Sequence, residues 1–336
     1  MTLKFLKYTS IVFICTFTSC KKDSETNSES SGAPLFTLLS NEQTNLSFQN
    51  NLEEGPNTNI LMYEYFYNGA GVSTADYNND GLLDVYFVSN MGENKLYLNR
   101  GQMRFEDYTV ESGAGGRPGP WKTGVTSVDV NADGKMDIYL SYSGSLPAEK
   151  RVNQLFINKG NDASGTPLFE EKAAEYGLDH AGYCNQAYFF DYDKDGDLDA
   201  LMLNHNPKNL PLLNETGTAA MLKIDSPQMG LRFYKNNGGK FQDQTQAAKI
   251  SGSELSYGLG LGISDLNNDG WPDFYVSNDY SIPDYLYINN KNGTFTNQLS
   301  TSVGHTSQFS MGNDIADINN DGHNDIFTLD MLPEDN

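Results

Sequence analysis

Asp265-Leu-Asn267-Asn-Asp269-Gly270-Trp-Pro-Asp273 sets oxygen-bearing side chains at positions 1, 3, 5 and 9 of a nine-residue stretch, with glycine at position 6. The same frame recurs as Asp76-Tyr-Asn78-Asn-Asp80-Gly81-Leu82-Leu-Asp84, Asp129-Val-Asn131-Ala-Asp133-Gly134-Lys135-Met-Asp137, Asp191-Tyr-Asp193-Lys-Asp195-Gly196-Asp197-Leu-Asp199 and Asp317-Ile-Asn319-Asn-Asp321-Gly322-His323-Asn-Asp325. The starts lie 53, 62, 74 and 52 residues apart. A period of that size marks repeated supersecondary units.

The flanks repeat as well. Five residues before the first aspartate stand Gly71, Gly124, Gly260 and Gly312, with Gln186 as the exception. Eight residues before it stand Trp121, Tyr183, Tyr257 and Phe309, with Asn68 as the exception. An apolar run follows the last aspartate each time, as in Val85-Tyr-Phe-Val88 and Phe274-Tyr-Val276. Short apolar runs bounded by Gly and Asp read as buried strands. In four units a third strand ends in Asn99, Asn158, Asn236 or Asn289, and a Gly-bearing turn leads to a fourth opened by Phe105, Phe169, Phe241 or Phe295. Asn and Gly between apolar runs signal a hairpin. Four antiparallel strands per unit, repeated at this length, predict an all-β propeller of four-stranded blades. Five blade motifs are visible, and the fifth reaches Asp330-Met-Leu-Pro-Glu-Asp-Asn336 without a third and fourth strand. The chain thus reads as part of a longer protein. Leu35-Phe36-Thr37-Leu38 and 59–67 are expected to supply strands that help close the ring, since an open edge is a hazard.

Each loop gathers hard oxygen donors around one point, and the glycine at position 6 permits the sharp turn that wraps them. Position 7 (Leu82, Lys135, Asp197, Trp271, His323) offers its backbone carbonyl. Neither Cys nor a His ring stands at a ligand position, which argues against zinc or copper. Flexible, multiply carboxylated loops favour Ca²⁺ over Mg²⁺, which demands tighter octahedral geometry. Up to five Ca²⁺ ions are expected. The loop is not an EF-hand, whose closing Glu stands at position 12 between helices.

Formal net charge is −22. Such a field repels nucleic acid and anionic lipid and attracts cations. Lys4 and Lys7, the short apolar run Ile11-Val12-Phe13-Ile14-Cys15 and the small-residue ending Ser19-Cys20 read as a secretion signal over 1–19. The ending resembles the bacterial lipobox, with Phe17 where Leu is usual, and makes Cys20 the lipidated residue of the mature chain. Residues 20–34 are polar and make a flexible tether; 35–336 form the propeller. Cys15, Cys20 and Cys184 build no disulfide framework, and Cys184 reads as a small buried hydrophobe.

These loops and flanks resemble the FG-GAP/VCBS repeats of integrin α-subunits and of bacterial surface proteins. The closest likeness is to the cartilage-acidic-protein-like group, whose longer bacterial members carry an ASPIC/UnbV region. Phe66-Tyr-Asn-Gly-Ala-Gly71, Ser89-Asn90 and Phe309-Ser-Met-Gly312 support it. The resemblance implies a propeller of usually seven blades, with Ca²⁺ loops on the lower rim joining strands one and two. It also implies ligand binding on the opposite face. The Phe-Gly and Gly-Ala-Pro signatures of integrins are largely missing, so integrin ligand residues do not carry over. On the opposite face the long connections are 204–230, 141–152, 172–183 and 278–283; long loops on a rigid scaffold are where binding tends to reside.

No P-loop, dinucleotide fingerprint, His-Glu-x-x-His or Gly-x-Ser-x-Gly occurs. The metal loops absorb most Asp residues, and no carboxylate pair is left as an obvious catalytic set. The function expected is a lipid-anchored binding or adhesion module at the cell surface or outer membrane. Its ligand would be a glycan or a protein, and the domain would be monomeric. The alternatives are the scaffold of a polysaccharide lyase and a structural spacer.

Overall fold

The computed structural model describes residues 35–208, 213–280 and 282–331. The leader, Cys20 and the tether fall outside them. The chain divides into two compact units, Met1–Leu39 and Ser40–Asn336.

The second unit is a series of antiparallel sheets, each in simple meander order. Blade 1 is β1 (Gly71–Ala75), β2 (Asp84–Val88), β3 (Lys95–Asn99) and β4 (Phe105–Asp107). Blade 2 is β5 (Lys122–Val128), β6 (Asp137–Tyr142), β7 (Gln154–Asn161) and β8 (Pro167–Glu171). Blade 3 is β9 (Cys184–Phe190), β10 (Asp199–Asn204), β11 (Arg232–Asn236) and β12 (Phe241–Asp243). Blade 4 is β13 (Gly258–Ser264), β14 (Asp273–Asn278), β15 (Tyr285–Asn289) and β16 (Phe295–Asn297). The fifth sheet has two strands, β17 (Ser310–Ala316) and β18 (Asp325–Asp330). The expected propeller blades are therefore present, with each acidic loop joining strands one and two.

The blades pack face to face. Between blades 3 and 4 the core is aromatic: Phe233 meets Tyr192 at 4.8 Å and Phe295 at 6.0 Å, and Phe274 meets Phe295 at 5.1 Å, all edge to face. That is the preferred geometry for aromatic pairs. The recurrent glycine five residues before each loop lies where successive first strands converge. A Cβ on Gly260 would stand 2.7 Å from the Cα of Gly312, and one on Gly124 would run into Gln186. Gln186 explains its own exception: its Nε2 donates to Val125 O and Thr126 Oγ1, both at 2.9 Å, tying blade 3 to blade 2. Cys184 is buried, as expected, and burial pushes its thiol up to about 11.

Two strand expectations are overturned. Neither Leu35–Leu39 nor 59–67 forms a strand; the latter is a run of turns. Tyr63, Tyr65 and Phe66 are buried instead in an aromatic cluster with Trp121 and Tyr257, just before β5 and β13. Burial against the tops of other blades prevails over the strand-like alternation of Tyr63 and Tyr65. The segment before β1 also covers the outer face of blade 1, where Phe48 stacks on Phe87 at 4.7 Å and 10°. Of the long connection 204–230, the structure describes a helix, Glu215–Met221.

Candidate metal centres

All five acidic loops fold alike. The aspartate at position 1 accepts from the backbone N–H of positions 5 and 6: Asp265 Oδ1 from Asp269 at 2.9 Å and Oδ2 from Gly270 at 2.7 Å, with equivalents at Asp76, Asp129, Asp191 and Asp317. Position 5 accepts from the N–H of position 7, as Asp80 does from Leu82, Asp133 from Lys135, Asp195 from Asp197, Asp269 from Trp271 and Asp321 from His323. Position 3 is Asn78, Asn131, Asn267 or Asn319 in four loops and donates Nδ2 to the position-5 carboxylate. Glycine at position 6 has φ between 81° and 93° in every loop. A Cβ would meet no atom at Gly81, Gly134, Gly196 or Gly322, so backbone conformation rather than space requires it.

The aspartate at position 9 opens strand two and is buried in four loops: Asp84, Asp137, Asp199 and Asp273. Each accepts two backbone N–H bonds, one from position 2 of its loop and one from an asparagine of strand three (Asn99, Asn158, Asn236 or Asn289). Burial pushes the Asp84 and Asp137 carboxyls up to about 6 and that of Asp199 up to about 7. The other aspartates of each loop raise them further. In the fifth loop Asp325 accepts from Ile318 N–H and is only partly buried.

The donor set fits a divalent cation. One oxygen each of Asp191, Asp193 and Asp195 lie within 4.8 Å of one another, close enough to hold a metal ion. Asp193 Oδ1 is buried and has no hydrogen-bond partner. In this loop the Lys235 ammonium is the local cation, touching Asp193 and lying 3.4 Å from Asp195. Lys135 Nζ is 2.9 Å from Asp133 and Lys291 Nζ is 3.2 Å from Asp269. These ammonium groups mark where positive charge is wanted.

Three features escaped the sequence reading. The strand-three asparagines are part of the site: Asn289 Nδ2 donates to Tyr192 O (2.8 Å) in the neighbouring loop and Pro272 O (3.2 Å) in its own. Asn158 does the same with Tyr77 O and Met136 O. Position 4 is left-handed at every loop, including Ala132 and Lys194, which do not advertise that conformation. Position 4 also reaches the next loop, Asn79 to Gly134 O, Asn268 to His323 Nδ1, and Lys194 over the Trp271 ring at 5.3 Å. Trp271 and His323 thus contribute side chains to inter-loop contacts in addition to the carbonyl expected of position 7. A dipeptide signal for these links is the polar pair at positions 3 and 4.

At the opposite end of the blades, a cavity of 410 Å³ is lined by Tyr63, Tyr65, Asn68, Thr123, Gln186 and Met311. It draws on the first strands of the blades and on the turns before β1. His205 lies beside these turns, 4.9 Å from Tyr65 and 6.1 Å from Tyr63, with neither ring nitrogen partnered.

Meandering four-stranded blades with one acidic loop between their first two strands define a repeat β-propeller. The FG-GAP-like repeat matches residues 76–140 and 265–328, so the chain carries FG-GAP-like repeats in its first two and last two blade motifs. Cartilage acidic protein 1 of Homo sapiens is 32% identical over 142 residues, covering 41% of this chain and 20% of that protein. The matched region is thus about a fifth of the relative's length. Among solved structures, an Agrocybe aegerita lectin that recognises non-reducing terminal N-acetylglucosamine matches at TM-score 0.41 and 17% identity, over 76% of this chain and 59% of the lectin. The V. cholerae biofilm matrix protein Bap1 matches at TM-score 0.37 and 12% identity, over 76% and 33%. Among the described residues no helix is long and apolar enough to cross a membrane.

Proposed function

We propose that this FG-GAP-repeat module is a calcium-stabilised binding domain exported to the bacterial envelope and anchored there through a lipid on Cys20. It acts by binding rather than catalysis, as a monomeric domain, and it has no affinity for nucleic acid. Its ligand, a saccharide in preference to a protein, is taken at the end of the blades opposite the acidic loops. The carrying observation is the common fold of five loops around converging carboxylate and amide oxygens, with the Asp191, Asp193 and Asp195 oxygens within 4.8 Å of one another. The residues at positions 1, 3, 5 and 9 would hold Ca²⁺ with the carbonyl at position 7. The ion would supply the countercharge that clustered acids lack. A site with a Kd of about 100 µM would contribute about 1.8 kcal/mol at about 2 mM free Ca²⁺. The saccharide reading is supported by tyrosines and amides around the 410 Å³ cavity at the other end.

Calcium titration calorimetry on the mature chain, with Mg²⁺ as control, tests the first half. Up to five ions are expected, and Asp269→Ala should lower the stoichiometry by one. An unchanged count would remove that loop from the assignment.

A further inference from the structure

A buried cation without an ion-pair partner among the described residues lies outside the acidic loops. Lys122, the first residue of β5, is 1% exposed. Lysine is almost never that buried unless paired. Its Nζ donates one hydrogen bond, to Gly119 O at 2.7 Å. An ammonium carries three donors, so the others remain available. Lys122 forms no ion pair among the described residues. Nearby, the Arg117 guanidinium stacks on Tyr142 at 4.3 Å and donates to the carbonyls of Lys150 and Val152, again without a carboxylate. Burial pushes the Lys122 ammonium down to about 8, the Arg117 charge adds to that, and the Glu93 carboxylate opposes it. Two adjacent cations without ion-pair partners among the described residues are conspicuous in a chain of net charge −22.

Both residues line a groove of 570 Å³ between blades 1 and 2. That size is within the range of small-molecule sites, about 300–1,000 Å³. Its floor includes the glycine-rich connection 113–119. Gly116 is left-handed there, and a Cβ on it would stand 2.8 Å from Asn94 Nδ2. The backbone therefore comes close to the groove where no larger residue fits. Asn94 and Gln154 add amides, and Val110 and Phe156 add apolar surface. The one acid in the lining, Glu93, lies 3.6 Å from Lys95 and is exposed.

We propose that this groove binds the carboxylate or sulfate group of an acidic saccharide, with Lys122 and Arg117 as its cationic contacts and the apolar wall against the sugar ring. An arriving oxyanion would neutralise both charges and use the free ammonium donors; charge-assisted bonds of this kind are the strong ones. A bare ion would leave most of the groove unfilled. This inference rests on the saccharide reading above, narrows it to an acidic class, and puts the acidic group in this groove and not in the 410 Å³ cavity.

The test is binding of D-glucuronate, glucose 6-sulfate and glucose to the full chain, alongside a panel of neutral glycans. Both acidic sugars should bind, and glucose about tenfold more weakly or worse, the loss expected for one hydrogen bond to a charged group. Lys122→Met should cost about the same factor for the acidic sugars alone. Because that variant could perturb packing, Val110→Glu is the second arm. Val110 is 85% exposed on the groove wall, so the melting point should hold while the added charge repels acidic sugars. Acidic sugars binding no better than glucose, or Val110→Glu binding them as before, overturns the proposal. If neutral glycans bind and acidic ones have no preference for this groove, the proposal fails and the saccharide reading stands. If no saccharide binds, both fall.

Discussion

The aspartate at position 9 shows how one side chain can serve a turn before any ion is considered. Asp273 Oδ2 accepts from Leu266 N–H at 3.0 Å and Oδ1 from Asn289 N–H at 2.8 Å, so it clamps the loop to strands two and three. His205 is the opposite case, a buried polar ring that clamps nothing. It packs against Tyr63, Tyr65 and Tyr183, and burial pushes its imidazole down to about 3. The ordinary value is about 6.5. Between those two values the unfolded chain takes up a proton that the folded chain refuses, so His205 makes stability fall as pH drops through 6.5. His205→Phe keeps the ring and discards the titration. Its stability at pH 7.5 should be equal to or above that of the parent, because no partner is lost. From pH 6.5 to 4 the parent should lose about 1.4 kcal/mol more per pH unit than the variant. Urea unfolding at several pH values measures this. Parallel pH curves would mean that the folded protein protonates or hydrogen-bonds the imidazole.

Within a blade, the asparagine ending strand three welds loop, hairpin and neighbouring blade. Asn289 Nδ2 donates to Tyr192 O and Pro272 O, and its Oδ1 accepts from Lys291 N–H at 2.8 Å. Asn289→Ala leaves those buried groups without partners and should destabilise by about 2–3 kcal/mol in urea unfolding. Asn290→Ala, whose side chain lies at the surface on Thr294, should stay within about 0.5 kcal/mol. Equal losses would contradict the welding role. The blade itself was legible because its signals are local: a loop with a fixed glycine, an apolar strand after Asp273, an Asn-Gly hairpin before Phe295. The loop ligands were legible for the same reason. What was hidden depends on partners far away in sequence. Nothing near Asn289 names Tyr192, 97 residues distant. Nothing near Tyr63 reveals that Trp121 and Tyr257 await it, so alternating tyrosines imitate a strand. The Lys122 groove was invisible because Gly113-Ala114-Gly115-Gly116-Arg117 reads as an ordinary linker until two blades bring Phe156 and Lys95 to it.

Across the whole propeller unit, stability is the sum of blade-to-blade faces and of the charge held at the loop end. Val125 and Leu261 are buried by the blade before them, whereas Val72, at the same place on β1, is 59% exposed. Phe327 and Leu329 on β18 are 56% and 57% exposed where Tyr139 and Leu203 are buried. The first and fifth sheets are thus held from fewer sides than blades 2 to 4. Acidic charge, by contrast, is concentrated at one end: each loop sets at least three aspartates close together, and Lys135, Lys235 and Lys291 answer only part of it. Removing Ca²⁺ with a chelator should therefore lower the melting point and expose the loops to protease, most readily the fifth, where Asp325 lacks the burial of its counterparts. Readdition of Ca²⁺ should restore both properties and equimolar Mg²⁺ should not. Raising NaCl should recover part of the loss, because screening weakens repulsion between exposed carboxylates. Scanning calorimetry and limited proteolysis follow these changes. A melting point indifferent to chelation would mean that the hydrogen bonds of Asp76, Asp84 and their equivalents fix the turns unaided, and that the acidic end carries its charge for some purpose other than a structural ion.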